Sequence, residues 1–551
     1  MIKGYVAMVL HAHLPYVRHP EHENILEERW LFEAISETYI PLITFFEELI
    51  NEGIEYRLTM SVTPPLLSML SDSLLQERYI KYLEKLIVLS ELEVKRTMGQ
   101  PEFNKLALMY NNKYKSDLII FKDVYKCNLI SAFKKLQDSG VLEIMTSAAT
   151  HGFLPLLCTS SNSVKAQVAL GVETYEKYFG HKPRGIWLPE CGYFPSLEDT
   201  LKENGLEYFI TESHGVLFAN PKPVFGTYAP IVTPKGMVAF GRDIETSRQV
   251  WSSIDGYPGD FDYRDFYRDI GFDLDYDYIK DYISEDGHRI HTGIKYYKIT
   301  NKTKDKQPYN LEWAQNKANI HAGNFMYNRE KQIEFLSDKM DRPPIIVCPY
   351  DAELFGHWWY EGPNWLYSLF KKINCDQNIF KLITLGEYID ENPIMQVSTP
   401  CASTWGVKGY NEVWLNGSND WIYSHLHKAG ERMEELASQN KFAYGLKREA
   451  LNQAARELLL AQSSDWAFIM KTGTMVQYAE KRTKDHIGRF TRLYHDIKEG
   501  NIDEEWLKDI QSKDNIFPDL DYSIYANAGA NPCVRPGVET GQTHGSAPTN
   551  H

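Results

Sequence analysis

Three observations predict an α/β chain built on a (β/α) barrel, with a helical insertion and an all-helical C-terminal region. Short β-rich apolar runs alternate with helical stretches over roughly the first 400 residues. Polar residues collect at the C-terminal ends of those runs, the face on which such barrels place their sites. After about residue 415 only helical periodicity remains, with Leu, Ala, Arg and Glu dominant.

The expected strands are 4–10, 56–61, 142–146, 185–189, 207–211, 237–241, 344–349 and 380–384. Several end in polar side chains: His11 and His13, Ser61 and Thr63, Thr150 and His151, Glu190, Glu212 and His214, Arg242 and Asp243, Asp351. Residues 66–140 are mostly amphipathic helix and too long for one crossover, so a helical insertion is expected there. Residues 251–315 are rich in Tyr, Asp and Gly and read as a long loop region over the barrel mouth. Helical periodicity marks 420–440, 446–462, 474–498 and 502–512. These features divide the chain into a catalytic region 1–400, a helical region 401–525, and a Gly-, Pro-, Thr- and Asn-rich tail, 526–551, expected to be disordered.

The 551 residues suffice for a large core. A formal net charge of −15 argues against a general nucleic-acid binder, which needs Lys and Arg for phosphates. A neutral glucan is indifferent to that charge. Aromatic residues make up 13%, including 12 Trp and 35 Tyr, which suits stacking on sugar rings. The seven cysteines are scattered, odd in number and without CxxC spacing, which fits a reducing cytoplasm better than a disulfide framework or a zinc site. The N-terminal run 1–10 is short and followed at once by His and Pro. It reads as a core strand and not a signal peptide. No run is long and apolar enough to span a membrane.

Glu190 and Asp351 carry the chemistry. Each stands directly after a β-rich run and among aromatics, in Trp187-Leu188-Pro189-Glu190-Cys191-Gly192-Tyr193 and in Pro349-Tyr350-Asp351-Ala352-Glu353-Leu354-Phe355-Gly356-His357-Trp358-Trp359. A lone carboxylate after a strand is more often a helix cap or a partner for a surface cation. Two of them in aromatic settings suggest the nucleophile and acid of a retaining glycosidase, with carboxyl groups about 5–5.5 Å apart. His11 and His13, at i and i+2, point the same way. Together with His151 they suit either a metal or sugar hydroxyls.

HAHLPY, ATHG, WLPECGY and PYDAELFGHWW, in that order, resemble the first four signature motifs of glycoside hydrolase family 57. SSDWAF, from Ser463 to Phe468, resembles the fifth. The similarity runs from residue 1 to about 525 and is nearest to the 1,4-α-glucan branching enzymes and related amylases. It implies an incomplete (β/α)7 barrel, an all-helical C-terminal domain and catalysis with no metal or other cofactor. It makes Glu190 the nucleophile and Asp351 the acid/base. His11 and His151 would surround the sugar at the cleavage point, and Trp251, Trp405 and Trp414 would line the cleft. His13 and Asp465 would have supporting roles.

The implied activity is cleavage of α-1,4-glucans such as amylose, glycogen or starch through a glucosyl-enzyme. Transfer to a sugar 6-hydroxyl would give branches, and transfer to water would give the hydrolysis of an α-amylase. In branching members a mobile loop bearing a tyrosine covers the site. Here that stretch is 213–242, with Tyr228 as the candidate, and it looks compact, so some hydrolysis is expected. Two remoter readings are a metal-dependent polysaccharide deacetylase using His11 and His13, and a non-catalytic glucan-binding protein.

Overall fold

The computed structural model describes residues 2–252, 256–283, 287–300 and 305–526. Ten strands follow in chain order: β1 (Gly4–Ala12), β2 (Leu58–Val62), β3 (Leu142–Ser147), β4 (Gly185–Trp187), β5 (Tyr208–Thr211), β6 (Ile231–Val232), β7 (Val238–Gly241), β8 (Ile345–Asp351), β9 (Phe380–Leu382) and β10 (Gln396–Val397). Seven of them run parallel in the spatial order β8-β1-β2-β3-β4-β5-β7. Strands β7 and β8 form no ladder with each other. One main-chain bond, Asp243 N–H to Val347 O at 2.9 Å, links the two ends. This is the incomplete (β/α)7 barrel. β6 adds antiparallel to β7, β10 pairs with β6, and β9 pairs with the start of β1. All eight expected strands are present. β6 and β10, with two residues each, are too short to show in the sequence.

Strand alternation sorts the side chains. Ala7 and Val9 of β1, Met145 of β3, Trp187 of β4 and Ile345 and Val347 of β8 fill one buried cluster inside the barrel. Val6, Met8 and Leu10 and then Ile346, Cys348 and Tyr350 face outward into the large helix-covered core. The inward set of β1 therefore continues to His11, and that of β8 to Asp351.

The insertion is helical as expected, with helices Pro64–Leu70, Ser73–Arg96, Pro101–Ile119 and Leu129–Asp138. The second is typical of how sequence sets these helices. Asp72 caps it through Leu75 N–H, Lys95 and Arg96 complement its C-terminal dipole, and Leu75, Tyr79, Leu83, Leu86 and Leu89 form its buried stripe. The described parts of 251–310 contain short turns and helices and two isolated bridges, Arg264 with Lys298 and Tyr297 with Pro308, and a long helix, Leu311–Ser337, starts just before the expected end of the loop region. The C-terminal region holds Trp421–Gln439, Gly445–Ala461, Val476–Glu499 and Glu504–Lys513 as expected, plus a short helix, Ser464–Thr472. Residues 527–551 of the expected disordered tail lie outside the described residues. Among the described residues no helix is long and apolar enough to cross a membrane.

Candidate active site

One row of the barrel carries the chemistry. Cα registers place His11 opposite Ser61 of β2 on one side and opposite Asp351 of β8 on the other. The row above repeats the pattern. His13 Nδ1 lies 3.0 Å from Thr63 Oγ1, as His11 Nδ1 lies 2.8 Å from Ser61 Oγ.

Glu190 enters this row from beyond β4 in a strained form. Its φ is +62° and that of Cys191 is +52°, and His151, after β3, has φ +56°. Left-handed backbone at non-glycine residues costs about 1–3 kcal/mol each and persists only when the surroundings enforce it. Here the enforcement comes from the C-terminal part of the chain. The Glu190 carbonyl accepts from Trp405 N–H at 3.0 Å, and the His151 carbonyl accepts from Ser464 N–H at 3.0 Å. The same two residues then hold the Glu190 carboxylate. Trp405 Nε1–H donates to Oε2 at 2.8 Å and the Ser464 hydroxyl to Oε1 at 3.0 Å. Gly192 is required just beyond, because a Cβ there would meet the Phe153 ring and Pro189 O at 2.9 Å.

Burial raises the Glu190 carboxyl to about 7, against the pull of the Trp405 and Ser464 donors. Asp351 is pushed well above the usual carboxylate range, chiefly by burial, then by the charges of Glu353 and Glu190, while Arg242 pulls the other way. The two carboxyls are thus held unequally: two donors favour the ionised form of Glu190, while burial and like charges disfavour that of Asp351. Glu353, two residues past Asp351, accepts from His13 N–H at 3.2 Å and from the Tyr39 hydroxyl at 2.5 Å. Arg242 pairs with Glu212 at 3.3 Å and lies over the Trp405 ring.

The histidines differ from one another. His13 Nε2 meets both oxygens of Asp465, at 3.2 and 3.1 Å. Burial alone would lower His13, but Asp465 outweighs it and the net shift is upward. Asp465 in turn is drawn down to about 2 despite its burial, by His13 and by Ser463. His11 and His151 are only 2% exposed and are held neutral, burial pushing both well below the ordinary imidazole value. His11 is bonded to Ser61 and His151, and His151 to His11 and Ser464. Both ring nitrogens of each are thus engaged by protein partners. His13, His151 and Asp465 lie close enough to ligate an ion, with Asp465 itself the partner of His13 Nε2.

The tryptophans also separate. Trp405 touches Glu190. Trp251 ends the helix after β7 and is 39% exposed. Trp414 does not line the cleft: it is 1% exposed and stacks on Phe153 at 4.5 Å in the core beneath Trp405. Tyr228 is likewise corrected. Its carbonyl accepts from Ile345 N–H, at the start of β8, while Asp351 ends that strand, about 20 Å further along at the usual strand rise. Within the 213–242 segment, Asn220 bridges Thr399 and Val224 N–H bonds Gln396 of β10. It does not put Tyr228 over the site. Sequence reasoning missed Ser464, although it stands in the SSDWAF motif beside Asp465, and it missed Tyr39, which no motif marks.

The family model for Glycosyl hydrolase family 57 matches residues 7–402, and that for the C-terminal region of 1,4-alpha-glucan branching enzyme matches 425–525. The chain is 33% identical to the 1,4-alpha-glucan branching enzyme of Thermococcus kodakarensis, over 94% of this chain and 78% of that protein. Among solved structures, an alpha-amylase of Thermotoga maritima superposes with a TM-score of 0.90 at 48% identity, covering 96% of this chain and 99% of that one. A branching enzyme of Pyrococcus horikoshii superposes at 0.86 with 33% identity, covering 97% and 98%. The chain belongs to glycosyl hydrolase family 57.

Proposed function

We propose that the protein is an α-glucan-active enzyme of the branching type, cleaving α-1,4 bonds with retention and passing the glucan chain to a 6-hydroxyl, with measurable loss to water. The single observation that carries this is the unequal pair. Glu190 is gripped by two donors that favour its ionised form, while Asp351, in the row of His11, is raised by burial and by the charges of Glu353 and Glu190.

The steps follow from that pair. Ionised Glu190 attacks the anomeric carbon as Asp351 gives its proton to the departing O4. A glucosyl ester on Glu190 and an Asp351 carboxylate result. Asp351 then takes the proton of the incoming hydroxyl, and the ester is displaced. Attack by a sugar 6-hydroxyl makes an α-1,6 branch, and attack by water makes a reducing end. The net configuration is retained because the carbon is displaced twice.

A mainly hydrolytic balance is the second reading. It is favoured by the 48% identity to an alpha-amylase and by the position of Tyr228 away from the strand ends that bear the carboxylates. The test is incubation with amylose, scoring new α-1,6 linkages and new reducing ends in the same sample. Branches in excess of ends support transfer, and ends with no branches support the second reading. Glu190→Gln and Asp351→Asn should each lose nearly all turnover of amylose. Asp351→Asn should still form the glucosyl-enzyme from substrates with good leaving groups. Normal turnover in well-folded Glu190→Gln sinks the proposal. A cytoplasmic location belongs to the same proposal and rests on the family, not on the cysteines: Cys375 is an exposed free thiol, but Cys158 is disulfide-bonded, contrary to the reading of the seven cysteines as all free.

A further inference from the structure

Below Glu190 runs an unbroken line of four hydrogen bonds through the barrel. Ser61 Oγ lies 2.8 Å from His11 Nδ1, and His11 Nε2 lies 3.1 Å from His151 Nε2. His151 Nδ1 then lies 2.9 Å from Ser464 Oγ, and Ser464 Oγ lies 3.0 Å from Glu190 Oε1. All four of the relaying side chains are buried.

The hydrogens of this line are determined by its end. An ionised carboxylate only accepts, so the Ser464 hydroxyl must donate to Glu190. That hydroxyl has one hydrogen, so toward His151 it accepts, and His151 carries its proton on Nδ1. A neutral imidazole has one N–H, which leaves His151 Nε2 as an acceptor. His11 must therefore donate from Nε2, its Nδ1 is an acceptor, and Ser61 donates to it. Every bond points toward Glu190.

We propose that Ser464 is a positioning residue for the nucleophile, set by a directed line in which His11 is held as the Nε2–H tautomer and His151 as the Nδ1–H tautomer. The line rests on the reading of Glu190 as the ionised nucleophile. It gives the two buried histidines a task other than touching sugar. They fix which way the Ser464 hydroxyl points, so that the donor is aimed before any substrate arrives. The stacking around them keeps the rings in plane. Trp187 lies flat against His11 at 4.5 Å, and His13 against His151 at 3.8 Å. The charged and titratable groups that face the line are His13, Asp465 and Glu190 itself, with Asp351 opposite His11 in the register. The His13–Asp465 pair places its positive partner against His151, which opposes a second proton there.

The experiment uses the full-length protein in two arms. In the first, ¹⁵N NMR of the wild type labelled at histidine nitrogens reads the tautomers, with Ser464→Ala identifying the His151 signals by perturbation. A neutral Nδ1–H signature for His151 with Nε2–H for His11 is expected. The opposite tautomer at either ring, or a charged ring at neutral pH, overturns the line whether or not Glu190 is the nucleophile. In the second, pH profiles of kcat/KM are compared. Losing one donor to a charged acceptor should move the acidic limb of Ser464→Ala upward by about one unit and lower kcat/KM near neutrality by roughly fivefold. Ser464→Thr, which keeps the hydroxyl, should restore the limb. An unmoved limb in well-folded Ser464→Ala overturns the positioning role. Activity in Glu190→Gln would instead remove the nucleophile reading while leaving the tautomer result to stand by itself.

Discussion

Trp405→Phe isolates one bond at the proposed nucleophile, Glu190. The phenyl ring still fills the place against Trp187, where the two rings now meet edge-on at 5.0 Å, and the main-chain bond from residue 405 to the Glu190 carbonyl survives. What is lost is the 2.8 Å bond from Nε1–H to Oε2. A hydrogen bond to a charged group contributes about 1.5–3 kcal/mol, and 1.36 kcal/mol corresponds to one pKa unit. The carboxyl, now at about 7, should rise by about one to two units. The sign follows from the need for an ionised nucleophile. Activity is lost as pH falls through the folded pKa, so a higher pKa moves the loss to higher pH. At pH 7 the ionised fraction drops from about half to between roughly a tenth and a hundredth, or about 5- to 50-fold in glycosylation rate. The assay is the pH profile of glucosyl-enzyme formation from an activated maltooligosaccharide, whose leaving group needs no proton from Asp351. The deficit should shrink toward pH 9. An equal deficit at every pH would refute the reasoning and leave Trp405 as a stacking surface only.

Three more outcomes are expected. Trp414→Ala should cost about 3–5 kcal/mol of stability, seen in melting curves, with kinetics per folded molecule little changed; the reverse pattern would return Trp414 to the cleft. Tyr228→Phe should leave the ratio of branches to reducing ends at its wild-type value, and a shift toward reducing ends would mean the ring reaches the site after all. The third concerns the buried pair Glu457 and His486, 2.7 Å apart beside Asp514, Arg482 and Arg489. Burial raises Glu457 to about 7 and pushes His486 well down. Between about pH 4.3 and 6.5 the folded pair therefore holds one proton on Glu457, and the unfolded chain holds one on the histidine, so the two nearly cancel. In Glu457→Gln the depressed histidine is left alone, and its contribution is present above pH 6.5 and lost below. Urea titrations should show the variant losing about 1.4 kcal/mol per pH unit more than wild type as pH falls below about 6.5. Parallel curves would refute it.

Much of this was legible in the chain because strand ends announce themselves. The run from Gly185 ends at Glu190 and that from Pro344 at Asp351, and alternation alone sends His11 and His13 to one face. Ser61 and Thr63 share that spacing, but only the β1–β2 register shows that they lie beneath the two imidazoles. Ser464 was hidden for another reason. It reaches Glu190 across 274 positions, and such docking leaves no periodicity to read. Trp405 and Trp414 lie only nine residues apart at the junction with the helical region, and sequence alone gives both the same cleft role. Their packing differs because the Trp414 ring turns under Phe153. Tyr228 misled because a loop's distance from its flanking strands says nothing about which end of the barrel it visits.

The clamping of Glu190 and His151 by residues 405 and 464 has a consequence for the growing chain. Both carboxylates and all three histidines of the site are synthesised before Trp405. A nascent polypeptide can complete β8 and still lack the two N–H donors that hold the left-handed turns and the two donors that grip the nucleophile. Domains form largely in order of synthesis, so the barrel precedes its own competence. On the proposed role of Glu190, its carboxylate is fully gripped only once the helix beginning at Ser464 has docked. A chain cut short before Ser464 should therefore hold the barrel without that donor.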